Sequence, residues 1–232
     1  MDPPKCTLKI LGTNHIAEES VRDIKKTFKE FKPDVIAVEL DKRRLQSLQE
    51  RLKGAKQSIP LSMIRHVGLT GFLFMVIGAF VQKKLGNIVH VQPGMDMLTT
   101  IQEAKKIGKP TFLVDQDVMI TMRHLSKAFT WREKFQILWD VIASPFSKID
   151  IKIDIRKVPD KKTIKQLLQL LKERYPSIYN VLIIERNVVM ATRIDRIIRA
   201  QPGKKILLVV GAGHEEDLTA RFKVIEHLVT VV

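Results

Sequence analysis

With 232 residues, 45% of them hydrophobic and none in low-complexity runs, the chain has core for one large domain or two small ones, and a disordered class is excluded. A lone cysteine, Cys6, rules out an intramolecular disulfide and points to a reducing, cytoplasmic compartment. The net charge is +15, and residues 151–205 carry most of the excess, with 14 Lys or Arg against 5 Asp or Glu; that segment is either a solvated Lys-rich face or a surface for anionic lipid, nucleic acid or an acidic partner.

Residues 7–11 read as a strand that runs into Gly12-Thr13-Asn14-His15. Glu18 to Phe31 places Val21, Ile24, Phe28 and Phe31 at helical spacing, and Val35 to Leu40 follows as a short apolar strand. A βαβ unit of this length implies parallel strands. Arg43 to Leu52 reads as helix, and residues 54–60 as a polar loop. Leu61 to Leu85 reads as a long apolar helix stopped by Gly86-Asn87. Its most apolar stretch, Gly68 to Val81, is shorter than the roughly 20 residues of a membrane span, so a core or interface helix is expected.

Pro93-Gly94 opens a helix from Met95 to Ile107, and Thr111 to Val114 is a strand followed by Asp115 and Asp117. Helices are expected over Val118 to Ala128, Trp131 to Ala143, Thr163 to Arg174, and continuously from Pro176 to Arg199. Ile149 to Ile155 is either an edge strand or a polar connector. Ile206 to Val210 is a buried strand leading into Gly211-Ala212-Gly213-His214, and Val224 to Val231 supplies a last strand. The fold class is α/β: a central, mainly parallel sheet flanked by helices, with an inserted helical region.

Two Gly-x-x-His elements, each just past an apolar strand, place His15 and His214 where open α/β sheets bind ligands. As metal ligands the two would offer neutral imidazole nitrogens beside glycines that let the backbone turn. The plain alternative is a histidine capping each strand end. Glu39 and Asp115 also end strands; each can ligate a metal, act as a base, or pair with an arginine such as Arg43 or Arg123. Glu185 and Arg186 lie at the edge of an apolar helix face, followed by Asn187, and either a pocket or a structural ion pair explains them. Walker, nucleophile-elbow and H-E-x-x-H motifs are absent. With 6% aromatics and no basic–aromatic interleaving, specific nucleic-acid recognition is not expected.

Gly12-Thr13-Asn14-His15 with Glu19-Ser20 resembles the first motif of the TraB/PrgY family, the pheromone-shutdown proteins. Pro33-Asp34 leading to Val38-Glu39-Leu40-Asp41, the Gln82 to Met97 passage, and Leu113-Val114-Asp115-Gln116-Asp117 with Thr121 and Arg123 resemble further motifs. Glu185-Arg186-Asn187 with Met190-Ala191, and Val210-Gly211-Ala212-Gly213-His214, complete the set in order along nearly the whole chain. Gln116, where relatives usually carry Arg, and the acidic Glu215-Glu216-Asp217 are departures.

The resemblance implies an EreA/ChaN/Tiki-like fold. It also implies a single domain over 1–232 with helical insertions at about 61–107 and 118–200, and a C-terminal membrane region, carried by many archaeal members, that this sequence does not include. It is similar to the Tiki proteins, regarded as metal-dependent proteases with two G-x-x-H motifs. The expectation is therefore a metal-dependent hydrolase acting on peptides. His15, Glu39 and His214 would hold a divalent Mn, Co or Zn ion, Glu185 would be a further ligand or base, and Arg186, Asn187 or Arg123 would complete the site. A non-catalytic peptide-binding or membrane-surface regulatory protein is the alternative. Because the Leu61 to Leu85 helix is apolar around most of its surface, a homodimer built on it is expected, with membrane association as the competing arrangement.

Overall fold

The computed structural model describes residues 4–13, 18–55, 58–89, 94–143, 161–225 and 227–232. Five strands, β1 (Cys6–Thr13), β2 (Val35–Val38), β3 (Thr111–Leu113), β4 (Lys205–Gly211) and β5 (Val229–Val231), form one parallel sheet in the order β3-β2-β4-β1-β5. The order reverses at β4, which inserts between β2 and β1, with Thr13 opposite Gly211 and Val38 opposite Val209. The connections leaving β2 and β4 diverge there, so their carboxyl ends frame the switch point at which such sheets bind ligands.

Strand alternation divides the core. From β4, Ile206, Leu208 and Val210 point to one face. They meet Met190, Ile194 and Ile198 of α9 (Glu185–Ala200) and Leu218 and Phe222 of α10 (Ala212–Lys223). Leu207 and Val209 point to the other face, where Ile24 and Phe28 of α1 (Glu18–Phe31) and Met97 and Ala104 of α4 (Met95–Lys106) cover them. Both faces are covered, which is why the β4 core reads as an unbroken apolar run. Helix α2 (Lys42–Leu52) starts at Asp41, whose carboxylate accepts from the amides of Arg43 (2.9 Å) and Arg44 (3.1 Å).

A third cluster, Leu125, Phe129, Ile178 and Val181, joins the remaining helices. Phe74 of α3 (Ile64–Val89), Ile137 of α6 (Trp131–Ala143) and Leu171 of α7 (Lys161–Arg174) pack on it, with α5 (Val118–Ala128) and the short α8 (Pro176–Tyr179). Helix α3 runs through Gly86 and Asn87 to Val89 and breaks instead at Gly68, whose φ of 75° only glycine adopts readily. It is not a core helix: Leu69, Leu73, Ile77 and Phe80 are 49–65% exposed. The helix expected from Pro176 is interrupted by a π turn at Asn180–Ile184, and the last strand starts only at Val229, because Val224 caps α10 and the Leu228 and Val229 amides turn back onto the Ile225 carbonyl. The stretch from Ile149 to Ile155 lies outside the described residues.

Asp34 ties three strand starts together. Its carboxylate accepts the Lys205 amide at 3.2 Å and the Lys109 ammonium at 3.0 Å. The Lys205 amide and then Lys109 hold its carboxyl below the ordinary aspartate value. A lowered folded-state pKa means stabilisation that is present above the unfolded value near 3.8 and lost as pH falls through the folded one. Asp34→Asn is therefore expected to cost about 1 kcal/mol at pH 7, after allowance for its partial exposure. Most of that difference should vanish at pH 2–3 in urea titrations, for the same linkage reason.

Gly71 is needed for packing. Its amide donates to the Ser126 hydroxyl oxygen at 2.6 Å, and a Cβ there would stand 2.4 Å from the Met122 carbonyl oxygen. Helix propensity alone would make Gly71→Ala stabilising by up to about 1 kcal/mol. The backbone clash reverses the sign, and a net loss of about 1–3 kcal/mol is expected in denaturant unfolding.

Candidate functional site

Four segments meet at the switch point. Glu39 continues β2, its amide bonding the Val209 carbonyl at 3.0 Å, and Asp115 lies just past β3, its amide on the Leu40 carbonyl at 3.3 Å. Arg186 and Asn187 come from the first turn of α9, directly after the π turn, and His214 from the first turn of α10. Glu39, Asp115, Arg186, Asn187 and His214 are all buried, Asp115 and Asn187 completely.

Arg186 is the hub. Its Nε donates to Asp115 Oδ1 at 2.9 Å and its Nη2 to Asp115 Oδ2 at 2.8 Å, a two-pronged grip that matches a carboxylate. The same Nη2 also donates to Glu39 Oε1, and Nη1 to the Leu182 carbonyl at 3.1 Å. Burial works against the guanidinium charge, yet Glu39 and Asp115 outweigh it and hold the Arg186 pKa well above its ordinary value. Arg44 adds a second cation on Asp115 Oδ2 at 3.0 Å, and Arg193 donates to the Asp115 carbonyl. Burial, with opposition from Arg44 and the helix amides, pushes the neighbouring Asp41 carboxyl up.

Glu39 Oε2 accepts the Gly211 amide at 2.6 Å. Neither Gly12 nor Gly211 has a positive φ, so the sharp-turn role expected of the motif glycines is not theirs. Gly12 instead makes room: a Cβ there would collide with the Glu215 carboxylate at 2.3 Å.

His214 is oriented by a relay. The Asp217 carboxylate can only accept, so Asn187 turns its Nδ2 toward Asp217 Oδ2 at 2.8 Å. That presents Asn187 Oδ1 to His214 Nδ1 at 2.6 Å. An amide oxygen also only accepts, so the hydrogen-bond network assigns the imidazole proton to Nδ1. Nε2 then faces Glu39 Oε1 at 3.3 Å. With the proton on Nδ1 a ring lone pair meets a carboxylate oxygen there, an arrangement that suits a bound cation. Two ligands bound tetrahedrally at about 2.0–2.1 Å stand about 3.3 Å apart. An imidazole donating its other N–H to a fixed partner is the usual setting of a metal-binding histidine.

Glu39, Arg186, Asn187 and His214 are thus brought together. Glu185 and Arg123 are not. Glu185 is half-buried and pairs with His124 Nδ1 at 2.8 Å, and Arg123 Nε donates to the His66 carbonyl at 3.1 Å. His15 lies outside the described residues. The arginines on Asp115 are Arg186 and Arg44, not Arg43 or Arg123; Arg43 pairs with Asp117 at 3.1 Å on the surface. Sequence reasoning missed Arg44 and Asp217. The Asp217 position carries a signal, since it lies one turn beyond His214 on the same helix. Thr13, at the end of β1, adds a buried bond to Asp96 at 2.5 Å. Among the described residues, no group of three or more His, Cys, Asp or Glu side chains is placed to hold a metal; Glu39 and His214 supply two fitting donors.

A model of the TraB/PrgY/gumN family matches residues 3–225. The chain belongs to the TraB/PrgY/gumN family. It is 32% identical over 226 residues to an uncharacterized protein of Methanocaldococcus jannaschii, covering 96% of this chain and 55% of that one. It is 25% identical over 232 residues to the human TraB domain-containing protein, covering 88% and 60%. The chain therefore spans little more than half the length of these curated relatives. An open-conformation mutant of the erythromycin esterase EreC aligns with 97% of this chain and 68% of its own, at 12% identity and a TM-score of 0.38.

Proposed function

We propose that this TraB-family chain is a hydrolase acting on peptides, with Glu39 and His214, joined by His15, holding a divalent manganese, cobalt or zinc ion. The observation that carries this reading is the Asp217–Asn187–His214 relay, which commits the Nδ1 side of the ring and points Nε2 at Glu39 Oε1, 3.3 Å away. A divalent cation would supply Lewis acidity toward a carbonyl oxygen or a water molecule. The protein's own groups do the rest. Asn187 and Asp217 fix the imidazole tautomer. Arg186 pins Glu39 and Asp115 and contributes a permanent positive charge where negative charge would develop on an attacked carbonyl. The Gly211 amide orients the Glu39 carboxylate through its second oxygen.

One observation favours a second reading. Arg186 already occupies both Asp115 oxygens and shares Glu39 Oε1, which suits a peptide-binding protein that does not turn over. A mixed peptide library separates the two. Incubation with the manganese-, cobalt- or zinc-supplemented protein is expected to yield cleavage products by mass spectrometry, abolished by chelator and by Glu39→Gln. Retention of peptides without cleavage supports the second reading, and neither cleavage nor retention contradicts both.

A further inference from the structure

Both tryptophans of the chain, Trp131 and Trp139, lie on one stripe of α6 with Phe135, and they are 73%, 70% and 66% exposed in the order Trp131, Trp139, Phe135. The spacing of four residues keeps all three on one side of the helix. Trp131 and Phe135 rings sit 6.4 Å apart, and the Lys134 ammonium lies 4.3 Å from the Trp131 ring. Helix α3 carries a second such stripe: Leu69, Leu73, Ile77 and Phe80. The segment Leu61–Phe80 is long and apolar enough to cross a membrane, and only 17% of its most apolar window is buried. Both helices pack their other sides on the Leu125–Phe129 cluster, through Phe74 and Ile137. Exposed apolar surface on this scale marks an interaction site.

Charge selects the occupant. Residues 61–89 hold Arg65, Lys83 and Lys84 and no acid. Helix α6, residues 131–143, holds Arg132 and Lys134 against two acids, both engaged internally. Glu133 accepts from Thr130 and the Ser177 amide, and Asp140 pairs with Arg174 and Tyr175. A two-fold dimer through α3 and α6 would bring together helices whose uncommitted charges are cations, with no free acid in either to answer them. An anionic bilayer surface offers both what the aromatics need and what the cations need: tryptophan partitions to the headgroup level, and basic residues add about 1 kcal/mol each near anionic lipid.

We propose that the aromatic stripe of α6 and the apolar stripe of α3 form a docking surface for the interface of an anionic lipid bilayer. This is independent of the chemistry at the switch point. Because the chain has only these two tryptophans, its intrinsic fluorescence reports on the surface directly. Adding vesicles of phosphatidylglycerol and phosphatidylcholine to the full chain is expected to shift emission to the blue, to bring quenching by brominated lipid, and to carry the protein with the vesicles on flotation. Raised salt should weaken the partition, and Phe80→Ser with Phe135→Ser, which keeps both tryptophans, should weaken it about tenfold or more. An unchanged emission spectrum at saturating anionic lipid overturns the proposal. So does equal binding to phosphatidylcholine alone, or a dimer by light scattering that the double substitution disperses, since a second copy would then be the occupant.

Discussion

Arg186→Met is expected to destabilise the protein by about 3–5 kcal/mol in urea unfolding, because it leaves the Glu39 and Asp115 carboxylates buried beside one another without their shared cation. Arg186→Lys should recover only part of this. A lysine keeps the charge but cannot grip Asp115 through two parallel bonds while reaching Glu39 and the Leu182 carbonyl. A cost below about 1 kcal/mol would mean that the three charges are solvated and the centre is not a closed network.

The second large effect concerns the imidazole. Asn187→Leu keeps side-chain volume but removes the acceptor for His214 Nδ1 and the donor for Asp217. The ring is then free to place its proton on Nε2, the nitrogen that faces Glu39. Divalent-metal affinity, measured by calorimetry with manganese, is expected to fall about 10- to 100-fold, the usual size of an outer-shell loss. Asp217→Ala should act in the same direction by freeing the Asn187 amide to turn. Unchanged affinity in both variants would show that the relay does not serve a metal.

The sheet was legible because its strands are short apolar runs buried on both faces, and such runs leave a clear mark at Val35–Val38 and Lys205–Gly211. The strand order was not, since nothing local to β4 says that it inserts between β2 and β1. Glu39, Arg186, Asn187 and His214 could be picked out because each carries a polar group where the local pattern is apolar. Their partners could not, because Arg44 and Asp217 sit on half-exposed helix faces where a charge needs no explanation. Glu185 misled for a related reason. Helical periodicity puts it beside Arg186, but one residue is 100° of rotation, and the π turn before it shifts the face further, so Arg186 enters the core and Glu185 meets His124. The apolar surround of α3 was legible and its outward face follows from it, but apolar composition alone does not say whether the covering surface is protein or lipid.

Glu39 and His214 are proposed as two ligands of one divalent cation. Cobalt(II) titration of the full chain, followed by visible absorption, tests it most directly. A saturable ligand-field spectrum is expected at one ion per chain, lost in His214→Ala and in Glu39→Gln while circular dichroism shows both variants folded. A spectrum that survives both substitutions, or no bound cobalt in the unaltered chain, would contradict it.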